Sequence, residues 1–269
     1  ASHGNQITGK GLASSTIRGI HSMLHEALDA AKQAGLIPWN PTEEIPTPKF
    51  ACKVKQILTD EQLDVFMAII QQDDIWHDFF YTELTTGLRL GEICGLRWSD
   101  FDEATGRLKI SRTVKRKKGG GVTWGDTKTE TGMRNILLPP STAEILRERT
   151  KTAMSEWIFP NIYRPEEAMH PEYPYHRMKT LLKKAGLPLI RFHDLRHTFA
   201  THALTGGVDA KTLSGILGHT NASFTLDTYT HVTSDMQKQA CGIVGGFMED
   251  IFGKELKPWQ EGEKPGTEP

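Results

Sequence analysis

Thr86-Gly87-Leu88-Arg89-Leu90-Gly91-Glu92-Ile93-Cys94-Gly95-Leu96-Arg97-Trp98 ends one helical run and opens another. Before it, Trp76 to Thr85 is apolar and reads as helix. Thr86-Gly87-Leu88 breaks that run, and Arg89 to Leu96 resumes it. Further on the period changes. Arg107 to Val114 alternates, with Leu108 and Ile110 on one side, which suits a strand. Gly119-Gly120-Gly121 is a turn. Val122 to Thr127 and Arg134 to Leu138 read as two more short strands, joined through Lys128 to Met133. These three strands are expected to form one small antiparallel sheet. After Pro140 the pattern is mostly helical, with an irregular stretch from Pro160 to Pro174. The expected fold is α+β, mostly α-helical.

Upstream, Ser15 to Ala34 carries Ile17, Ile20, Leu24, Ala27, Leu28 and Ala31 at helical spacing, and Gly35 stops it. Pro38, Pro41, Pro46 and Pro48 follow, which reads as a linker. A domain boundary is expected near Ile45 to Lys53, dividing the chain into 1–50 and 51–269. Thr59-Asp60-Glu61 then starts a helix, with Leu63, Phe66, Met67 and Ile70 on one face. The opening Ala1-Ser2-His3-Gly4 carries no weight in the reading.

No apolar run is long enough to cross a bilayer, so no membrane partner is expected. Cys52, Cys94 and Cys241 are far apart and show no paired spacing, which points away from a disulfide framework and towards a cytoplasmic chain. The net charge is −1, a mild argument against nucleic acid as a partner. Its distribution argues the other way. Arg107, Lys109, Arg112, Lys115, Arg116, Lys117 and Lys118 fall in one stretch without an acid, and the excess of acids beyond Glu249 masks them in the sum.

Cutting a DNA strand without a metal needs a nucleophile, cations to hold the non-bridging oxygens, and an acid for the leaving 5′ oxygen. Arginine suits the clamp, because it stays charged and bonds oxygens in a fork. Tyrosine suits the attack, because it gives a phosphodiester that a later hydroxyl can reverse. Three segments supply these residue types. They are the Thr86–Trp98 segment, then His193-Asp194-Leu195-Arg196-His197-Thr198-Phe199-Ala200-Thr201, then Leu217-Gly218-His219 with Tyr229 ten residues on in Thr228-Tyr229-Thr230-His231-Val232. Their order, spacing and flanks together resemble the tyrosine recombinase (phage integrase) family, over roughly Thr59 to His231. Each piece is a weak signal, and the ordered set is strong.

The resemblance implies a catalytic domain holding the small sheet. It also implies that Ser15 to Pro41 is the last helix of a core-binding domain, so the chain looks truncated. It casts Arg89 and Arg196 as clamp arginines, Glu92 as the acid that orients the site, and His193 as an aid to the proton on the tyrosine. It casts His219 as a phosphate ligand and Tyr229 as the nucleophile. The family's general acid is a lysine on the turn before the third strand, where Asp126-Thr127-Lys128-Thr129 puts Lys128. The implied reaction is two-step transesterification through a 3′-phosphotyrosyl bond, with no cofactor, metal or ATP. The implied partners are double-stranded recombination sites and three more protomers, and possible accessories are directionality or host DNA-bending proteins. Ser234 to Phe252 is expected to pack on a neighbouring protomer. A mobile-element integrase in a bacterial cytoplasm is the favoured member. Arg112, Lys115, Arg116, Lys117 and Lys118 are candidate DNA contacts.

Blander readings stand beside these. His193 and His197 are also spaced as metal ligands, though Arg196 between them repels a cation. Lys115 to Lys118 also suit a solvated hairpin tip. Thr198 to Leu204, Gly206-Gly207 and Asp209 to Leu217 suit a helix-turn-helix, so a non-catalytic DNA-binding regulator is one alternative. It has no use for Arg89, Lys128 or Tyr229. A type IB topoisomerase, with related chemistry, is another.

Overall fold

The computed structural model describes residues 11–48, 56–126 and 132–218. Contacts divide the chain into two units, Ala1–Val54 and Lys55–Pro269.

In the first unit, helix α1 spans Ser14–Gln33. Gly35 then turns the chain at φ +73°, and the Leu36 amide returns to the Ala31 carbonyl at 2.9 Å. The proline-rich segment read as a linker folds back on this helix. Asn40, fully buried, donates to the His25 carbonyl at 3.1 Å and to Asp29 Oδ1 at 2.7 Å. Thr42 donates its hydroxyl to Asn40 Oδ1 at 2.6 Å. One buried amide thus satisfies backbone and side chain together, which a free linker does not do.

In the second unit, α2 (Asp60–Ile70) starts on a capping box. Thr59 Oγ1 accepts the Gln62 amide at 3.4 Å, and Gln62 Oε1 accepts the Thr59 amide at 3.2 Å. Helix α3 (His77–Thr86) ends at Gly87 in the left-handed conformation. The resumed helix is shorter than the spacing suggests: α4 covers Leu90–Ile93. Phe66, Trp76, Phe79, Phe80, Phe159 and Phe192 form an aromatic core, with Phe79 and Phe159 5.2 Å apart edge to face.

The β structure corrects the expected single three-stranded sheet. The strand read as Arg107 to Val114 is two strands, β2 (Arg107–Ile110) and β3 (Arg112–Arg116), parted at Ser111. β2 lies between β1 (Phe101–Asp102) and β5 (Arg134–Leu137), all antiparallel. β3 pairs with β4 (Val122–Asp126) as a separate hairpin, with Val114 opposite Trp124. The break keeps Leu108 and Ile110 buried under β5 while β3 packs on α4.

Helices α5 (Pro140–Thr150), α6 (Glu172–Lys184), α7 (Phe192–Thr205) and α8 (Ala210–Leu217) complete the described residues. Asp209 caps α8, accepting the Lys211 and Thr212 amides at 3.0 and 2.9 Å. The corner of α7 and α8 closes on Ala200, Leu204, Leu213 and Leu217. The first helix of this corner starts at Phe192, not at Thr198, and Thr198 and Ala200 are fully buried. Among the described residues no helix is long and apolar enough to cross a membrane.

Candidate active site

Three elements bring Arg89, Glu92, His193 and Arg196 together. Arg89 is the N-cap of α4, and Glu92 sits three residues on, where a carboxylate reaches back to the cap. Glu92 Oε2 accepts the Arg89 amide at 3.0 Å, and Oε1 accepts Arg89 Nη1 at 2.7 Å. Arg191 and Asp194 repeat the device at the start of α7. Asp194 Oδ2 accepts the Arg191 amide at 2.8 Å, which fixes the turn that presents His193 and Arg196.

The end of α8 organises the arginines. Arg89 Nη2 donates to the Gly218 carbonyl at 3.0 Å, and Arg196 Nη2 donates to that of Leu217 at 2.7 Å. Arg134 Nε, from β5, donates to that of Ile216 at 2.6 Å. Three consecutive carbonyls without partners inside the helix thus meet three guanidinium groups. The negative end of the helix dipole offsets the repulsion among them. Arg196 also reaches the Gly87 carbonyl through Nη1 at 2.9 Å. Gly218 holds φ +65°, and a Cβ there meets Arg134 Nη1 at 2.9 Å.

Glu92, 2 % exposed, is the ionised acid among these charges. Burial raises its pKa, but the hydrogen bonds and charge of Arg134, helped by Arg89, outweigh that and hold it below the usual carboxylate range. Arg196, 1 % exposed, is pushed down to about 10, first by burial and then by Arg89. It keeps its charge at neutral pH. Three arginines against one carboxylate leave an excess of positive charge, which suits a phosphodiester anion. His193 is held below the ordinary imidazole value, first by desolvation and then by the charge of Arg196, so it is neutral at neutral pH and free to take a proton. Its ring meets that of His197 edge to face, 4.7 Å between centroids. Among the described residues no group of three or more His, Cys, Asp or Glu is placed to hold a metal.

Lys128, His219 and Tyr229 lie outside the described residues. The basic stretch divides. Arg112, half-buried, pairs with Asp100, and Arg116, exposed like Lys115, Lys117 and Lys118, pairs with Glu172.

Two groups escaped the sequence reading. Arg134 lies in phase with Ile136 and Leu138, so an arginine at an inward strand position was the available signal. Glu83 lies fully buried in α3, behind Arg196. Neither of its carboxyl oxygens meets a partner among the described residues, and burial pushes its pKa well up despite the pull of Arg196. An acid raised in the folded state loses stability as pH climbs, because the unfolded chain ionises first. Each pH unit between the unfolded and folded pKa removes about 1.4 kcal/mol. Glu83→Gln is therefore expected to raise the melting temperature at pH 8 by several degrees more than at pH 5. Equal shifts at both pH values in paired melts would show the carboxyl to be unperturbed.

The phage integrase family model matches residues 56–236, which contain all of these groups. This chain belongs to the phage integrase family. Phage integrase family members are tyrosine recombinases, that is, DNA strand transferases. The chain is 27 % identical over 263 residues to a "Tyrosine recombinase XerC-like" protein of Caldanaerobacter subterraneus, covering 88 % of this chain and 67 % of that one. It is 26 % identical to the ICEBs1 integrase of Bacillus subtilis, covering 85 % of this chain and 65 % of the relative. The chain thus spans about two thirds of these relatives. Its fold matches the Tn1549 transposon integrase, solved in complex with transposon right end DNA, at TM-score 0.74 and 25 % identity, over 87 % of this chain and 80 % of that one. Its structural neighbours are tyrosine recombinase catalytic domains, and this chain shares their fold, about half helical with small antiparallel β structure.

Proposed function

We propose that this recombinase is a mobile-element integrase that cuts and rejoins DNA through Tyr229. The observation that carries the reading is the convergence of Arg89, Arg196 and Glu92 at the end of α8, one residue before His219. The two arginines and His219 bind the non-bridging oxygens of the scissile phosphate. The Tyr229 oxygen attacks phosphorus, the bond to the 5′ oxygen breaks, and neutral His193 takes the phenolic proton. Lys128 donates a proton to the leaving 5′ oxygen. A 5′-hydroxyl of a partner duplex then attacks the 3′-phosphotyrosine and releases Tyr229. One phosphodiester replaces another, so no ATP is consumed.

Exchange between two duplexes calls for four protomers on two sites, with 234–252 packing on a neighbour. Lys115, Lys117 and Lys118, exposed on the hairpin, approach the DNA backbone. Residues 1–50 supply the end of a core-binding domain and its linker, and 51–269 the catalytic domain. The setting is a bacterial cytoplasm, with directionality or DNA-bending proteins as accessories.

A duplex nicked just beyond the cleavage site loses a short 5′-hydroxyl fragment and traps the covalent product. Proteolysis of that product should leave the 3′-nucleotide on the peptide holding Tyr229. Specific binding without any covalent product would favour a regulator and sink the proposal. Relaxation of supercoils by a lone protomer would favour a topoisomerase.

A further inference from the structure

We infer that Arg134 is a positioning residue for strand cleavage, tying the acid that orients Arg89 to the end of helix α8. The inference rests on the proposed Tyr229 chemistry. Four of the five Arg134 N–H donors are already engaged within the protein, which leaves little for a DNA phosphate. Its donors turn inward instead. Nη2 reaches Glu92 Oε2 at 2.8 Å, and Nη1 reaches Glu92 Oε1 and the Gly132 carbonyl, both at 3.2 Å. Nε holds the Ile216 carbonyl at 2.6 Å. One planar fork therefore spans a carboxylate from α4 and a helix end from α8, which a lysine cannot reproduce.

The position matters as much as the bonds. Arg134 opens β5, and Lys128 lies in the segment just before it. Gly218, beside the Arg134 guanidinium, precedes His219. Arg89 is held by the carboxylate that Arg134 holds. A single side chain thus links the anchor of the first clamp arginine to the end of α8.

Among the described residues, the titratable groups facing Glu92 are Arg89 at the start of its own helix, Arg134 from β5, Arg196 from α7 and the buried Glu83 carboxyl from α3. Removing Arg134 takes away the largest interaction that keeps Glu92 ionised. Burial, then less opposed, raises its pKa, and a protonated Glu92 no longer anchors Arg89. Glu92 function is lost as pH falls through that raised value and returns as pH climbs above it.

Arg134→Gln and Arg134→Lys in the full chain test this, with single-turnover covalent trapping on the nicked duplex at pH 6.5 and 8.5. Arg134→Gln is expected to slow trapping on the order of 10²-fold at pH 6.5 relative to wild type. The deficit should shrink at pH 8.5. Arg134→Lys keeps the charge without the fork, and should show a smaller deficit with little pH dependence. The slope of log binding constant against log salt should stay at the wild-type value, because no phosphate contact is lost. If Arg134→Gln does not fold, the smaller, pH-flat deficit and unchanged slope of Arg134→Lys decide the matter. Wild-type trapping by the folded variants, a deficit equal at both pH values in Arg134→Gln, or a lower salt slope would overturn the inference. Failure of the wild type itself to form a Tyr229 adduct would instead overturn the proposed function, and the inference with it.

Discussion

Arg196→Lys should reduce strand cleavage by on the order of 10³-fold or more, the scale seen when a charge-stabilising arginine is removed from phosphoryl transfer. Arginine has five N–H donors. Two of those on Arg196 hold the Leu217 and Gly87 carbonyls, and under the proposed function others serve the phosphate. Lysine has three donors on one rotating nitrogen and cannot serve both carbonyls and a substrate in fixed geometry. Its charge is also at risk. Burial and neighbouring arginines bring Arg196 down to about 10. The same surroundings act on a lysine that starts near ~10.4, and draw it towards neutral pH. The variant should therefore recover some activity at pH 6 that it lacks at pH 8. Single-turnover trapping across that range is the measurement, with gel-shift binding as a control for folding. Cleavage within tenfold of wild type, at any pH, would show that Arg196 serves the fold and not the phosphate.

Gly87→Ala should destabilise the protein and disable the site together. Gly87 sits at φ +60°, where a Cβ overlaps Phe199 Cδ1 at 2.3 Å and approaches Leu217 Cδ2 at 3.1 Å. The backbone conformation costs a non-glycine residue about 1–2 kcal/mol. Overpacking against Phe199 adds about 1–3 kcal/mol. At about 2–4 °C per kcal/mol, the melting temperature should fall on the order of 5–15 °C. The Phe199 ring is carried by α7, the helix that presents Arg196, and the Gly87 carbonyl is one of Arg196's acceptors. Trapping should therefore drop even well below the melting temperature. A variant that melts and cleaves like wild type would mean that α3 and α7 are more loosely joined than the contact indicates.

Much of this was legible before the chain was folded. Thr59 announced α2 by its cap, and Gly87 announced the end of α3. Arg89, Glu92, His193 and Arg196 were legible as an ordered set. What makes them a site was not. The acceptors that fix Arg89 and Arg196 are backbone carbonyls of Gly218, Leu217 and Gly87, and carbonyls have no sequence signature. Alternation through Leu108 and Ile110 hid the break at Ser111, because both halves of the run remain extended. β1, only two residues long, carries too little pattern to be seen. Arg112 belonged to a basic run, and its partner Asp100 on the preceding turn becomes visible only when the chain folds. Arg134 and Glu83 were each a charged residue in an apolar context. That signal was present, and only the folded chain says which neighbour answers it.

The three carbonyls at the end of α8 also fix when the enzyme becomes dangerous. A ribosome that has released the chain through β5 has delivered Arg89, Glu92 and Arg134, but not Arg196 or the carbonyls of residues 216–218 that brace the arginines. Glu92 already joins Arg89 to Arg134, but Arg196 and the helix end that braces all three arrive only with residues up to 218. Under the proposed function, the phosphate grip is therefore assembled only in chains synthesised past residue 218.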